Sequence, residues 1–255
     1  MKHEASMASA YYRALEAGFG AIMFAKKKRR TLLQILQAAA ALLAVVLTCS
    51  TPAAAAGDVK SLHKARTLKI TVLVTNVAGD PHLGDGEWGY SALVEVDGHE
   101  ILYDTGASSD MVLKNAKAQH VDLSDVEDVV LSHNHWDHVG GLMTLRRQFA
   151  KTNPRAMSRV HVGAAIFEPR LNEAGEDQNG LRLIKAEYLA TGGVFIVHDK
   201  PTELYPGVWL TGPVPRPNEE KNWSPGLSLM TAQGRVEDNV PEDSALVFET
   251  NEQPS

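Results

Sequence analysis

The sequence predicts a mixed α/β layered fold, and two observations indicate it. Short β-branched runs bounded by polar residues come first, and strands then alternate with helical segments along the rest of the chain. The chain has 255 residues, of which 44% are hydrophobic and 22% charged. This profile is typical of a globular protein and excludes collagen-like, coiled-coil and wholly disordered chains. A single cysteine, Cys49, also excludes an internal disulfide framework and a cysteine-based zinc finger.

The first half of the predicted domain reads as a hairpin followed by a βα unit. Asp97 and Gly98 separate two apolar runs, which is the strongest short signal for a β-hairpin. Ser108 or Ser109 can cap the helix that follows. The predicted elements are a strand at 69–76, hairpin strands at 91–96 and 99–103, a helix from 108 to about 120, and a buried strand at 126–131.

The second half continues with one helix and several strands. Gly140 and Gly141 open the helix, and a loop rich in proline, asparagine and glutamate spans 213–225. The predicted elements are a helix at 140–149 and strands at 159–162, 194–198, 207–211 and 245–250.

Residues 1–56 are predicted to be an N-terminal extension that contains a secretory signal peptide. Five consecutive basic residues at 26–30 precede an uncharged stretch whose core, 38–47, is entirely apolar, and small residues run up to Ala56. A membrane anchor is the alternative, but the apolar core is shorter than the roughly 20 residues of a spanning helix. The sequence therefore predicts a mature domain at 57–255 that is periplasmic or secreted.

The predicted mature domain is acidic, which limits its partners. From Gly57 onward there are 18 basic and 29 acidic residues. Such a domain has no general attraction for nucleic acid or for an anionic membrane surface. We therefore expect a small-molecule substrate as the partner, with no nucleic acid and no membrane contact after cleavage of the signal.

One short segment carries most of the chemistry. His133, His135, Asp137 and His138 fall within six residues, directly after the predicted buried strand. In an extended His-x-His segment both imidazoles lie on the same side of the backbone, so they can bind one metal ion, while Asp137 and His138 can face a second. Imidazole and carboxylate ligands without thiolates suit zinc, iron or manganese. A solvated polar loop is the alternative, which is disfavoured because clustered protonated histidines repel each other.

These residues give the chain a family resemblance. Together with Asp-Thr-Gly at 104–106, Val-Val-Leu-Ser at 129–132 and the glycines at 140–141, the histidine block resembles the metallo-β-lactamase-fold hydrolases, over residues 69–250. Further segments are similar to the branch named after dihydropterin-ribofuranosyl-aminobenzene-phosphate synthase. These segments lie at 89–93, 123–127, 211–216 and 242–246.

The resemblance implies an αββα sandwich with a two-metal site. His133 and His135 would hold the first divalent ion, and Asp137 and His138 the second, with zinc favoured and iron or manganese as alternatives. A metal-activated hydroxide would be the nucleophile, so Asp137 counts among the catalytic residues. Asp104 would lie behind the ligands and hold one imidazole in its metal-binding tautomer.

The chain also departs from the resembled pattern. The family completes its site with a later histidine, in a Gly-Cys-x-His-x-Gly block after the strand that corresponds to 245–250, whereas this chain ends at Ser255. Only His161 and His198 follow His138, and we expect neither of them to be a ligand. The sequence thus predicts a truncated domain with an incomplete second half and low activity.

The function predicted from these observations is an exported metal-dependent hydrolase acting on an ester, lactone, amide or phosphoester. Two alternatives stay open, a metal-binding but catalytically inactive fragment and a pterin-type transferase using the same site.

Several other residues allow two interpretations each. Trp88 and Tyr90 either overhang the site and stack on substrate or pack on their own loop, and Trp136 is expected to pack away from the metals. The cations that either meet an anionic substrate or lie solvated on the surface are Arg170, Arg216 and Lys221.

Overall fold

The structure is a computed structural model that describes residues 63–218, 224, 226–232 and 234–250. The described residues all belong to one compact unit. The predicted signal peptide lies outside them, so the domain boundary near residue 57 stays a prediction. In the part of the chain that the structure describes, no helix is long and apolar enough to span a membrane.

A six-stranded sheet with its strands in chain order forms the centre of the domain. Its first three strands pair antiparallel, and the pairs from the third strand onward are parallel. Asp97 and Gly98 both have positive φ, at 47° and 85°, which confirms the predicted tight hairpin turn. The strands are β1 (Leu68–Val74), β2 (Ser91–Val96), β3 (His99–Tyr103), β4 (Asp128–Leu131), β5 (Arg159–Gly163) and β6 (Val194–His198).

Helices cover one face of this sheet. The apolar core between them takes Leu102, Val129 and Val160 from the strands and Leu142 and Leu181 from the helices, all fully buried. The helices are α1 (Met111–Ala118), the short α2 (Trp136–Val139), α3 (Leu142–Phe149) and α4 (Gly180–Ala190).

A second, smaller sheet packs on the opposite face, in the strand order β11-β8-β7. Val94 and Val130 of the large sheet contact Val208 and Leu210 of the small one in a second apolar core. The remaining strands are β7 (Thr202–Tyr205), β8 (Val208–Leu210), the hairpin partners β9 (Ser228–Thr231) and β10 (Gly234–Glu237), and β11 (Leu246–Phe248).

In the described residues the layers therefore run helices, large sheet, small sheet, which is consistent with the αββα sandwich. This arrangement confirms the predicted fold class. At the β1 edge, Leu68 and Ile70 are exposed, although their pairing partners Val96 and Val94 are buried against the small sheet. The three-stranded sheet is thus too narrow to cover the whole inner face of the six-stranded one.

The structure differs from the sequence prediction at several elements. Asp110, and not Ser108 or Ser109, precedes α1, and its side chain makes no capping hydrogen bond. The backbone N–H groups of Ala107 and Ser108 donate to the Glu87 carboxylate. The predicted helix at 140–149 begins only at Leu142, after the separate turn of α2. The elements that were not predicted from the sequence are α2, α4, β7, β9 and β10.

The loop after β3 lies directly against the segment that carries the predicted metal ligands. Thr105 donates from its backbone N–H and its hydroxyl to the His138 carbonyl, at 2.7 and 3.0 Å. A Cβ on Gly140 would lie 1.8 Å from the Ala107 carbonyl oxygen, and one on Gly141 would lie 2.4 Å from that of Thr105. Only glycine permits this approach. The close contact explains why the Asp-Thr-Gly segment at 104–106 occurs together with the glycines at 140–141.

Candidate metal centre

The four predicted ligands come together at the carboxyl end of β4. This strand is buried on both faces, so it fixes the start of the segment firmly. The chain then stays extended through His135, with φ −64° and ψ 145°, and turns into α2 at Trp136. Because of that change, His133 and His135 project from extended backbone, while Asp137 and His138 project from the helical turn.

The rings and the carboxylate are near neighbours. The ring centroids of His133 and His135 lie 4.4 Å apart, and those of His133 and His138 lie 4.2 Å apart. An Asp137 carboxylate oxygen lies 3.4 Å from Nε2 of His138. The structure therefore brings all four predicted ligands into one cluster, next to Asp104.

Asp104 lies behind two of the histidines and is fully buried. Its Oδ1 accepts the backbone N–H of Ser132 at 2.8 Å, and its Oδ2 accepts the Ser132 hydroxyl at 2.8 Å and Nδ1 of His138 at 2.7 Å. The residue adopts a left-handed backbone conformation, with φ 56°, in which few non-glycine residues are found. A buried carboxylate with three donors in a strained turn has a more specific role than a turn residue requires.

The hydrogen bonds of Asp104 and Ser132 fix the tautomers of the His133 and His138 rings. The single hydroxyl proton of Ser132 goes to Asp104, so the Ser132 oxygen must accept from Nδ1 of His133, which lies 2.9 Å away. His138 likewise carries its proton on Nδ1, toward Asp104. In both rings Nε2 is thereby left as the lone-pair nitrogen, which is the form that binds a metal.

His135 is held differently. Its Nε2 lies 2.9 Å from the hydroxyl of Ser224, which belongs to the second half of the domain. Nδ1 is consequently the nitrogen of His135 that stays open to a ligand. Ser224 was not noted in the sequence, and Ser132 was noted only as part of the segment at 129–132.

The electrostatics keep two of the imidazoles neutral. Burial lowers the pKa of His133 to about 2, and the neighbouring His138 and His135 add to the effect. Burial also lowers the pKa of His135, although Asp137 and Asp238 oppose this. Burial by itself would lower the pKa of His138, but the hydrogen bond and the charge of Asp104 outweigh it and raise that pKa. Neutral imidazoles are required for metal binding, so His133 and His135 need no deprotonation.

The donor set fits a divalent metal ion. Two Nε2 atoms with fixed tautomers, one open Nδ1 and one carboxylate, without any thiolate, are the chemistry that zinc, iron and manganese accept. Among the residues that the structure describes, no three His, Cys, Asp or Glu side chains form a ready-made ligand set. The four residues are accordingly candidate ligands, and their assignment stays a prediction.

The cluster opens into a cavity of about 1090 Å³. Its walls combine apolar groups with uncharged polar ones and very few charges. The other residues that line it are Trp88, Asn134, Trp136, Arg170, Gln178, Asn179, Gly180, Ser224, Leu227, Val240 and Asp243.

The cations predicted to meet an anionic substrate are paired within the protein. Arg170 is only 1% exposed and forms ion pairs with Asp238, at 3.0 Å, and with Glu242. Arg216 pairs with Asp243 at 2.9 Å. Neither is a solvated surface charge, and neither has its charge free for a ligand. Lys221 lies outside the described residues.

Arg170 also supports the candidate ligands indirectly. The second carboxylate oxygen of Glu242 accepts the backbone N–H of Asn134 at 3.2 Å, between the first two histidines. The buried Arg170–Glu242 pair thus ties the segment that carries His133 and His135 to the end of the domain. The sequence offers no signal for this contact, because the partners lie 72 residues apart.

His161 and His198 lie elsewhere, as expected. His161 Nδ1 and His198 Nε2 are 3.0 Å apart, and His161 Nε2 is 3.1 Å from the Asp128 carboxylate. That carboxylate also accepts from Arg159 and Tyr205. Both histidines are buried on β5 and β6 and do not line the cavity.

The aromatic residues near the motif differ in whether they line the cavity or pack on other side chains. Trp88 lines the cavity, whereas Tyr90 packs edge to face on Tyr103, with ring centroids 6.2 Å apart. The expectation that Trp136 packs away from the metals is wrong. It is 64% exposed and lines the cavity, because α2 begins there and turns its side chain out of the extended segment.

The chain belongs to the metallo-beta-lactamase superfamily, whose sequence profile matches residues 86–218. A similar solved structure is a metal-dependent hydrolase of the beta-lactamase superfamily. It is 26% identical, with a TM-score of 0.52, over 71% of this chain and 61% of that one.

Two curated relatives come from Methanocaldococcus jannaschii. One is a 7,8-dihydropterin-6-methyl-4-(beta-D-ribofuranosyl)-aminobenzene-5'-phosphate synthase, 27% identical over 74% of this chain and 66% of its own length. The other is an uncharacterized protein, 26% identical over 70% of this chain and 65% of its own length. The chain thus spans about two thirds of the length of these relatives.

Proposed function

We propose that this protein is a metal-dependent hydrolase that cleaves an ester, lactone, amide or phosphoester. The observation that carries the proposal is the Asp104 network, which presents Nε2 of His133 and of His138 beside the Asp137 carboxylate. All of these groups lie at a cavity large enough for a small-molecule substrate. The similar solved structure that is described as a metal-dependent hydrolase supports the same reaction class.

The four candidate ligands would hold one or two divalent ions, with zinc favoured over iron or manganese. A divalent ion there would lower the pKa of a water molecule to about 7 and polarise the carbonyl or phosphoryl oxygen of the substrate. Asp104 keeps a proton on Nδ1 of His138 and, through Ser132, on Nδ1 of His133. Asp137 can accept a hydrogen bond from the attacking water and orient it toward the substrate.

A pterin-type transferase is the second candidate, because one curated relative is named as a synthase of a dihydropterin compound. Both reactions would use the same residues. They differ in the acceptor, which is water for the hydrolase and a second organic substrate for the transferase.

Turnover on a substrate panel tests the proposal. We expect the zinc-loaded chain to hydrolyse at least one of ethyl butyrate, γ-butyrolactone, an N-acyl amide and bis(4-nitrophenyl) phosphate, with no second organic substrate. The first three would give a carboxylic acid, and the last would give 4-nitrophenol and 4-nitrophenyl phosphate. Asp137→Ala should lower kcat at least about a hundredfold, because a lost ligand removes several kcal/mol of transition-state stabilisation. Asp110→Ala, before α1 and outside the cavity lining, is the control.

Three results would count against this function. Metal binding without any turnover would favour the inactive fragment. Turnover only with a second organic substrate would favour the transferase. An unchanged kcat in Asp137→Ala would place the chemistry at other residues.

We further propose that the protein is exported to the periplasm or secreted, with cleavage near Ala56. The basic run at 26–30 and the apolar core at 38–47 support this. N-terminal sequencing of the protein recovered from the expressing cells should begin at or near Gly57. A chain that still begins at Met1, or at Met23 just before the basic run, would contradict export.

A further inference from the structure

Two tryptophans line the cavity next to the candidate ligands and are largely exposed. Trp88 is 60% exposed and Trp136 is 64% exposed. Leaving a large apolar side chain in water forgoes the stabilisation that its burial would provide. Exposed apolar groups at the rim of a concave site are typical of ligand-binding surfaces.

The backbone under Trp88 is fixed from both sides. The Glu87 carboxylate accepts the backbone N–H groups of Ala107 and Ser108, at 2.9 and 3.1 Å. Gly89 lies so close to the motif that a Cβ there would be 2.2 Å from the Asp137 carbonyl oxygen. The exposed ring of Trp88 therefore stands on a firmly anchored loop that contacts a candidate ligand residue directly.

Trp136 is positioned by the motif itself, because it separates His135 from Asp137 at the first residue of α2. The two rings thus belong to different segments, one before β2 and one after β4, and both open onto the same cavity.

The charges of the cavity do not favour recognition of an anion by the protein. Arg170 is the one arginine or lysine among the described lining residues, and both Asp238 and Glu242 neutralise it. Apart from the motif residues and Asp243, which pairs with Arg216, the other lining groups are either apolar, such as Leu227 and Val240, or polar and uncharged, such as Gln178 and Asn179. Flat indole rings over such walls suit stacking on an uncharged planar ring.

We infer that Trp88 and Trp136 form an aromatic recognition site that selects substrates carrying an uncharged planar aromatic or heteroaromatic group next to the bond to be cleaved. The inference rests on the proposed function for the cleaved bond, but the recognition of the ring can be measured without any turnover. Both tryptophans act as specificity-determining residues, and the metal ligands act on the reacting atoms.

Calorimetric titration with 2-naphthamide, and with its saturated, non-planar counterpart decahydronaphthalene-2-carboxamide, tests the inference on the full chain. We expect 2-naphthamide to bind at least tenfold more tightly than the saturated amide. Trp88→Leu and Trp136→Leu should each raise the Kd of 2-naphthamide about tenfold, or about 1.4 kcal/mol. Trp88→Phe and Trp136→Phe, which keep a planar ring, should stay within about threefold of the original chain.

Leu183→Ala is the matched control, because Leu183 is a highly exposed apolar residue of α4 outside the cavity lining. Equal Kd values for the original chain and both leucine variants, or equal binding of the two amides, would overturn the inference. Ring-selective binding without turnover of any ester, amide or phosphoester would overturn the proposed hydrolase and leave the recognition site standing. Turnover without ring-selective binding would overturn the recognition site and leave the proposed hydrolase standing.

Discussion

Replacing His133 and His135 together by alanine is expected to abolish tight zinc binding by this protein. The two side chains supply two of the three imidazoles in the cluster, and His133 is one of the two rings whose tautomer Asp104 fixes. A catalytic zinc site normally has three protein ligands, so the loss of two leaves the remaining donors unable to hold the ion. We expect the zinc content, measured after dialysis by atomic emission, to fall at least tenfold.

The matched control removes the same number of imidazoles elsewhere. His161→Asn with His198→Asn eliminates the buried pair on β5 and β6, whose nitrogens lie 3.0 Å apart and do not line the cavity. This variant should keep its zinc. If it lost as much zinc as the first variant while remaining folded by circular dichroism, the assignment of the ligands would be wrong.

Arg170→Met is expected to destabilise the domain by about 3–5 kcal/mol, because it leaves two buried carboxylates without their cation. Asp238 and Glu242 are as deeply buried as Arg170 itself, so water cannot take over its role. A domain is stable by only about 5–15 kcal/mol, so this loss is a large part of the total. Urea unfolding followed by tryptophan fluorescence measures the difference.

Arg182→Met is the control for that variant. Arg182 pairs with Asp177 at 2.6 Å, but both side chains are substantially exposed. Exposed pairs contribute only about 0–1 kcal/mol, so the midpoint of unfolding should hardly move. Similar midpoints for the two variants would show that the buried pair contributes no more than an exposed one.

Much of the fold could be predicted because its signals are local. The Asp97-Gly98 turn and the apolar runs of β2, β3 and β4 are short patterns that hold in the structure. The histidine block led to the superfamily for the same reason, since its ligand types and spacing lie within six residues. Helix α4 was missed in the sequence, although a local signal for it exists: Leu181, Ile184 and Tyr188 recur at helical spacing, and Asn179 caps the start.

Other features could not be predicted, since they depend on contacts between distant segments. Arginine is usually on the surface, and nothing near Arg170 in the sequence indicates that Asp238 and Glu242 will bury it. Trp136 is exposed because the backbone changes from extended to helical within the motif. The alternation of side chains along an extended strand does not show where such a change occurs.

The proposed function depends above all on metal binding by the segment from His133 to His138. The most direct measurement is anomalous diffraction at the zinc edge from crystals of the full chain grown with zinc. We expect a peak at about 2.0–2.1 Å from Nε2 of His133 or His138, close enough for the Asp137 carboxylate to bind the same ion. A peak between His161 and His198, with none at the motif, would contradict it.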